Sequence, residues 1–184
     1  MALPVRKADF ERTYTVAEFI DLPEYNERYE LIDGRLVEKP VAKFEHGLIA
    51  DIINKKLWIF DPEEKLVKML QEVSIYITSD YAPAPDLSFW VASRVPARNV
   101  PIAPRPDLAI EIQSPDQSLK SLTDKAKRYI QAGVSVVWII QPNKEIAAVF
   151  KQGLEKPLTV QPDGVLDAEE VIPGFKVGLK TLFE

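Results

Sequence analysis

Three charged residues of this chain have the types and the spacing that phosphodiester chemistry uses. Asp86 opens one strand-like segment, Glu111 lies in the next, and Lys125 falls on the helix-like run that follows. Two carboxylates can hold a hard divalent cation through oxygen, and an ammonium beside them can steady a water nucleophile or the charge of a phosphate. The pattern predicts a metal-dependent phosphodiesterase site on an α/β scaffold.

The surroundings of these residues strengthen the prediction. Side chains alternate along a strand, so Glu111 and Gln113 share one face of a segment that is otherwise built for burial. A carboxylate there must be paired, protonated or bound to metal. Asp86 follows Pro85, which fixes the approach of the chain. Lys125 lies on the flank of its helix's apolar stripe, where it can reach over the end of the Glu111 strand.

Composition excludes several other classes of site. The chain has 184 residues and is 46% hydrophobic, enough for one well-packed domain, which we place at 1–184 with a core at about 13–178. It has no cysteine and one histidine, so thiolate chemistry, disulfides and histidine-rich metal sites are excluded. The seven glycines form no phosphate-cradling motif. A net charge of −5 disfavours tight non-specific nucleic-acid binding but allows a local basic patch.

The sequence also gives a prediction of the cellular location. Residues 1–7 lack an apolar signal core, and no apolar run approaches membrane-spanning length. We therefore expect a cytoplasmic protein without contact to a membrane.

The first half of the chain has clear local signals. Thr15 and Glu18 form a capping box that predicts a short helix to about Asp21. Asp33-Gly34 between the alternating segments 29–32 and 35–38 predicts a hairpin, because its turn needs positive φ at both central residues. Apolar spacing over residues 45–60 predicts a helix. Strands are expected at 67–70, 73–78 and 86–91.

The second half predicts a parallel pair of strands. A proline-rich loop at 93–106 is followed by a strand at 108–113, a helix at about 118–132 and an apolar strand at 134–140. Strand, helix and strand at these lengths form a βαβ unit. A further strand at 146–150 and a Pro173-Gly174 turn before 175–179 follow. The fold class is therefore α/β, with a mixed central sheet flanked by helices.

Several motifs together resemble one known family. They are Tyr29-Glu30-Leu31-Ile32-Asp33-Gly34, a histidine entering the next helix (His46), Pro85-Asp86, Glu111-x-Gln113-Ser114-Pro115, and Lys125-x-x-x-Tyr129-x-x-x-Gly133-Val134-x-x-x-Trp138. This combination is similar to the putative restriction endonuclease (Uma-type) family of the PD-(D/E)XK nuclease superfamily, from about Thr13 to Phe175. The resemblance implies a restriction-endonuclease-like core in which the aspartate and the glutamate bind Mg²⁺ or Mn²⁺.

The resemblance has two departures. Gln113 stands where the superfamily motif has lysine, but in related families the lysine has moved to the following helix, where Lys125 stands. Ser121 stands where this family more often has an acid. Our hypothesis is that Asp86, Glu111 and the main-chain carbonyl of Ile112 bind the metal. Lys125 would then orient the water or neutralise the phosphate, and Gln113 would help to position the water.

Structural alternatives stay open for each of these residues. Asp86 could cap a turn, and Glu111 could form an ion pair with Lys125 that only holds the core. His46 could be a core histidine bonded to a carbonyl or a site residue. Glu30 could face the metal or be an exposed hairpin residue. Trp90 and Trp138 are expected in the core.

Partners follow from the same hypothesis. We expect nucleic acid, DNA in particular, to contact the loop arginines and two helix lysines: Arg94, Arg98, Arg105, Lys120 and Lys127. We expect the loop to rim the cleft because it joins the two acid-bearing strands, and its three arginines have no acid nearby. We also expect a homodimer. The competing hypothesis is a catalytically inactive relative that binds nucleic acid or protein, favoured by Gln113 and by the negative net charge.

Overall fold

The computed structural model describes residues 9–22, 28–39 and 43–184, so the leader at 1–7 lies outside the described residues. Three α-helices and twelve strands are formed in this part of the chain. The helices are α1 (Val16–Ile20), α2 (Phe44–Phe60) and α3 (Leu119–Gln131). The strands are β1 (Tyr29–Ile32), β2 (Arg35–Glu38), β3 (Val67–Gln71), β4 (Ile75–Tyr76), β5 (Leu87–Val91), β6 (Ala103–Pro104), β7 (Leu108–Ile112), β8 (Val136–Gln141), β9 (Ile146–Lys151), β10 (Leu158–Val160), β11 (Val165–Asp167) and β12 (Lys176–Gly178).

A six-stranded mixed sheet forms the centre of the fold, in the order β10-β9-β8-β7-β5-β3. Strands β7 and β8 run parallel, with Leu108 opposite Val136. The other neighbours in this sheet pair antiparallel. Helix α3 connects the parallel pair, as the βαβ pattern predicts. The predicted fold class, a mixed sheet flanked by helices, is confirmed.

Each face of the sheet packs against its own helix. On one face, α2 and the segment 166–182 cover the side chains of Leu108, Ile110 and Ile112. On the other face, α3 covers Ala109 and the other residues that alternate with them. Trp90 and Trp138 are fully buried, as expected. The alternation along β7 therefore points Glu111 at α3, into the interior rather than into solvent.

The local signals of the N-terminal part are confirmed. Thr15 caps α1 in a capping box with Glu18. Strands β1 and β2 pair antiparallel, with Asp33 (φ 51°) and Gly34 (φ 74°) at the turn. Positive φ at both positions explains the Asp-Gly sequence there. The predicted strand at 73–78 is shorter, because only Ile75–Tyr76 is a strand and it pairs with Ala103–Pro104 outside the main sheet.

Strand direction decides which residues meet at each end of the sheet. Strand β5 is antiparallel to both β3 and β7, with Leu87 opposite Gln71 and Ile110. Asp86 therefore lies at the same end as Glu72 and Glu111, and the start of the loop that leaves β5 lies at the opposite end. Across the described residues, no helix is long and apolar enough to cross a membrane.

Candidate active site

Asp86 joins two elements at this end of the sheet. Its Oδ2 accepts a 2.5 Å hydrogen bond from the main-chain N–H of Ile112. Its Oδ1 lies 3.1 Å from Nε2 of His46, which the first turn of α2 places over the strand end. Both oxygens are thus held by partners distant in sequence rather than by a turn of their own.

Glu111 is a buried carboxylate, with 2% of the residue exposed. Its Oε1 accepts a 2.7 Å hydrogen bond from the hydroxyl of Tyr129 and lies 3.2 Å from Nζ of Lys125. Burial raises the pKa of Glu111; Lys125 opposes this, and the charges of Asp86 and Glu30 add to it, which brings the pKa to about 7. A further positive charge at this place would complete its ionisation.

Lys125 is the cation of the site and reaches two acids at once. Its Nζ lies 2.8 Å from Oε1 of Glu30 and 3.2 Å from Oε1 of Glu111. Burial opposes its charge, but the carboxylates of Glu111 and Glu30 outweigh burial and raise the pKa of Lys125 above its ordinary value. The side chain therefore stays an ammonium, fixed on the rim of the Glu111 strand as its position on α3 predicts.

Glu30 comes from the N-terminal hairpin and completes this cluster. Only 7% of the residue is exposed, so the alternative of an exposed hairpin glutamate is wrong. Its Oε1 accepts a 2.6 Å hydrogen bond from the N–H of Ala84 as well as the contact from Lys125. Glu30 therefore ties the hairpin to the segment before Asp86 and to α3.

His46 is a partner of Asp86 rather than of a carbonyl, so that alternative for His46 is wrong. Burial lowers its pKa, but the hydrogen bond and charge of Asp86 outweigh burial, and the pKa of His46 is raised. Its Nδ1 is buried and has no hydrogen-bond partner in the described part of the chain. As a donor through Nε2, His46 fixes the orientation of the Asp86 carboxylate.

Gln113 is occupied elsewhere. Its Nε2 donates a 3.0 Å hydrogen bond to the carbonyl of Gln117, and Oε1 of Gln117 accepts from the N–H of Ser114. These bonds close the turn that leads into α3. Gln113 does not line the cavity between the acids, whereas Gln117 does. The water-positioning role expected of Gln113 thus has no contact that supports it.

The acids surround a narrow cavity of about 20 Å³. That is room for about one water molecule or one small ion. The residues that line it are Glu30, Lys39, His46, Glu72, Ala84, Asp86, Glu111, Ser114, Gln117 and Lys125. A larger substrate would have to approach from outside and present only one group to these side chains.

The donor set fits a hard divalent cation. The side chains of four acids and two lysines line this small cavity, so negative charge is in excess there. Oxygen donors of this kind suit Mg²⁺ or Mn²⁺. Within the described residues, no three histidine, cysteine, aspartate or glutamate side chains form a complete ligand cluster by themselves. A main-chain carbonyl and water would therefore have to share the coordination.

Some residues at the site were not identified from the sequence, among them Glu72 and Tyr129. Glu72 directly follows β3 and lines the cavity beside Asp86, and its N–H donates to the carbonyl of Asp86 at 3.2 Å. Its signal was the register, because antiparallel β3 must end where β5 begins. Tyr129 lies on the buried face of α3, and its hydroxyl holds Glu111. Its spacing of four residues from Lys125 was the available signal.

The five basic residues expected at nucleic acid do not share one surface. Arg94 pairs with buried Asp107 where β5 ends, away from Asp86, so the expectation of a loop charge without a nearby acid is wrong for it. Arg105 lies against Gly133, at the same far end. The reason is that β5 and β7 are antiparallel, so their connection leaves from the end opposite the acids.

The remaining three are spread over the molecule. Arg98 lies where the loop returns toward Glu72 and lines a groove there. Lys120 pairs with Asp124 at 2.8 Å and lines a depression next to Lys125. Lys127 faces a different cavity, near β9. Arg98 and Lys120 are therefore the members of the set that adjoin the acids.

Comparison with known proteins identifies a family and two similar solved structures. Residues 16–180 match the family described as Uma2, putative restriction endonuclease. Among solved structures, a putative nuclease belonging to DUF820 from Anabaena variabilis ATCC 29413 is similar, with a TM-score of 0.80 and 26% identity over 92% of this chain and 97% of that one. A DrdV–DNA complex matches with a TM-score of 0.33 and 12% identity, over 74% of this chain and 96% of that one. A search of curated proteins found no match.

The family match extends over most of the chain and includes every residue of the acidic cavity. The chain therefore belongs to the Uma2 family of putative restriction endonucleases.

Proposed function

We propose that this protein is a Mg²⁺- or Mn²⁺-dependent endonuclease that hydrolyses phosphodiester bonds in DNA. The observation that carries the proposal is the ammonium of Lys125, held 3.2 Å from Glu111 at the strand end that also presents Asp86. Two acids and a fixed cation around one small cavity are the parts that this reaction needs. Family membership and the nuclease neighbour support the same class of chemistry.

In this proposal, Asp86, Glu111 and the main-chain carbonyl of Ile112 would hold the metal. When bound, the metal supplies positive charge to the phosphate and activates the attacking water. The remaining roles belong to side chains of the protein. Lys125 neutralises the phosphate, while Glu30 anchors that lysine from behind.

Two further residues keep the acids in position. Tyr129 donates to Glu111 and so favours its ionised form, and His46 donates to Asp86 and fixes its orientation. Neither needs to touch the substrate. Both are positioning residues, because each acts through a carboxylate that it holds.

The test is cleavage of supercoiled plasmid, single-stranded DNA and RNA with Mg²⁺ or Mn²⁺. Asp86→Ala and Glu111→Ala should abolish cleavage. Matched controls are Asp163→Ala and Glu155→Ala, which remove exposed acids away from the cavity and should cleave like wild type. Cleavage that survives in both site variants would rule this site out.

A second candidate is a catalytically inactive relative that binds nucleic acid or protein. The observation that favours it is Gln113, which stands in the lysine position of the motif and is bound to the turn at Gln117. Calorimetric titration with Mn²⁺ separates the two candidates. Metal binding that disappears in Glu111→Ala supports the nuclease, and no binding in wild type supports the inactive relative.

We also propose a cytoplasmic homodimer. Helix α2 supports self-association, because five of its large apolar side chains are exposed, most of all Phe44 (84%), Ile59 (76%) and Trp58 (63%). Patches of this kind mark interaction surfaces. Sedimentation of wild type and of a Trp58→Lys, Ile59→Lys double variant tests this, and the variant should sediment as a monomer. A monomeric wild type would refute the dimer.

A further inference from the structure

A groove of about 660 Å³ opens beside the acidic cavity. Its walls are mainly apolar and include the half-exposed side chains of Leu70, Val95 and Val100. The buried ring of Trp90 also lines it, held by a hydrogen bond from its Nε1 to the carbonyl of Pro104. The volume lies within the roughly 300–1,000 Å³ of pockets that bury small organic ligands.

The groove and the acidic cavity share a wall. Glu72 and Lys39 line both of them. Nζ of Lys39 donates to the carbonyl of Glu72 at 3.3 Å, and the N–H of Glu72 donates to the carbonyl of Asp86. A molecule that presents its phosphate at the mouth of the cavity would therefore extend its neighbouring group directly into the groove.

The rim of the groove is basic. Lys39, Lys68 and Arg98 line it against a single acid, Glu72. Lys68 is paired with Glu64, outside the groove. Among the described residues, no acidic side chain forms a salt bridge with Arg98, so its guanidinium can meet an anion from a ligand. Apolar walls with a basic rim match the two parts of a nucleotide, a flat base and a charged phosphate.

We infer that this groove receives an unpaired nucleotide next to the bond that is cleaved, so that the substrate class is single-stranded or locally unpaired nucleic acid. The inference rests on the proposed function and narrows its substrate. A base inside a duplex cannot enter the groove, because stacking and pairing keep it in the helix. A base released from its partner can lie between the aliphatic walls with its phosphate toward Arg98.

The test measures binding without metal, so that it does not depend on cleavage. A labelled oligothymidylate and a duplex of the same length are compared by fluorescence anisotropy. Ala97→Trp fills the groove from an exposed loop position, and Ala92→Trp is its control on the same loop outside the groove. Arg98→Glu removes the rim charge, and Lys156→Glu is its control near β9.

Wild type should bind the single strand more tightly than the duplex. Ala97→Trp should weaken single-strand binding roughly tenfold, because the base loses its apolar contacts in the groove. Arg98→Glu should also weaken it and flatten its salt dependence, because a phosphate contact is lost. Neither control should change the affinity. Unchanged melting temperatures of the variants show that the fold is intact.

The outcomes distinguish a failure of the groove assignment from a failure of the nuclease proposal. If Ala97→Trp and Arg98→Glu both lose the oligothymidylate while wild type cleaves nothing, the groove is assigned correctly and the nuclease proposal fails. If wild type cleaves DNA but both variants keep wild-type affinity, the nuclease proposal stands and the groove assignment is overturned. Tighter binding of the duplex also overturns it. No binding of the oligothymidylate overturns it as well and favours a peptide as the occupant.

Discussion

Replacing Lys125 by alanine would remove the ammonium that contacts two buried carboxylates. Its Nζ lies 2.8 Å from Glu30 and 3.2 Å from Glu111, and both acids are buried. At an effective dielectric constant of about 20, each contact is worth roughly 5 kcal/mol of Coulomb energy before desolvation is subtracted. Breaking a buried pair by removing one partner costs about 3–5 kcal/mol. We expect metal-free Lys125→Ala to melt roughly 10 °C below wild type.

The loss should depend on pH in a defined direction. The pKa of Glu111 is already raised to about 7, and losing the ammonium raises it further. A stranded carboxylate can take up a proton in acid but not in base, so the stability difference between variant and wild type should grow as pH rises. Differential scanning calorimetry of both metal-free proteins at several pH values measures this stability difference.

The same variant also tests catalysis. An ammonium is not a metal ligand, so Lys125→Ala should still bind Mn²⁺ through Asp86 and Glu111 while it loses turnover. Lys127→Ala, two residues along on the exposed side of α3, is the control and should change stability by less than about 0.5 kcal/mol. Full activity together with an unchanged melting temperature in Lys125→Ala would refute the reasoning.

Three further predictions concern Tyr129, Glu111 and Asp61. Tyr129→Phe removes the donor to Glu111, so Mn²⁺ binding measured by calorimetry should need a higher pH than in wild type; an unchanged pH dependence would contradict this. Metal-free wild type should lose stability as pH rises from 4.5 to about 7, because folded Glu111 holds a proton that the unfolded chain releases, and a flat melting profile would exclude it. Asp61→Ala removes a carboxylate that accepts main-chain hydrogen bonds from Lys65, Leu66 and Val67 after α2, and should cost roughly 2 kcal/mol in urea unfolding; a loss below measurement error would refute the role.

The main sheet was predictable because its signals are local. The apolar runs of β7 and β8, with a helix of ordinary length between them, permit one arrangement, a parallel pair. The Asp-Gly hairpin and the capping box are equally local. Strands β10 and β11 were not predicted: β10 is largely exposed at the sheet edge, and β11 pairs only with β12. Short strands of this kind depend on pairing partners that apolar periodicity does not reveal.

The site residues, too, were predictable only where their signals are local. Asp86, Glu111 and Lys125 were identified from spacing, and the structure brings them together. The prediction that the loop at 93–106 rims the cleft was wrong for the part of the loop that carries Arg94 and Arg105. The position of the loop depends on the order and direction of the strands and not on its own sequence. Arg94 is the example: its charge looked unopposed in the loop, yet it pairs with Asp107, which lies beyond the loop at the start of the next strand. Long-range pairing cannot be read from a single segment.

The contact between Glu30 and Lys125 lies where a small hydrophobic core meets a larger one. Glu30 belongs to the hairpin, whose Leu31 packs with Tyr14, Phe19 and Ala82 in a small core of its own, while α3 packs on the central sheet. Local opening of a small core costs less than global unfolding. Undocking of the hairpin would therefore release Lys125 while the sheet stays folded. Heat or denaturant should thus inactivate the protein in a step that precedes melting, visible as early hydrogen exchange at the N–H of Leu31 and Ala84.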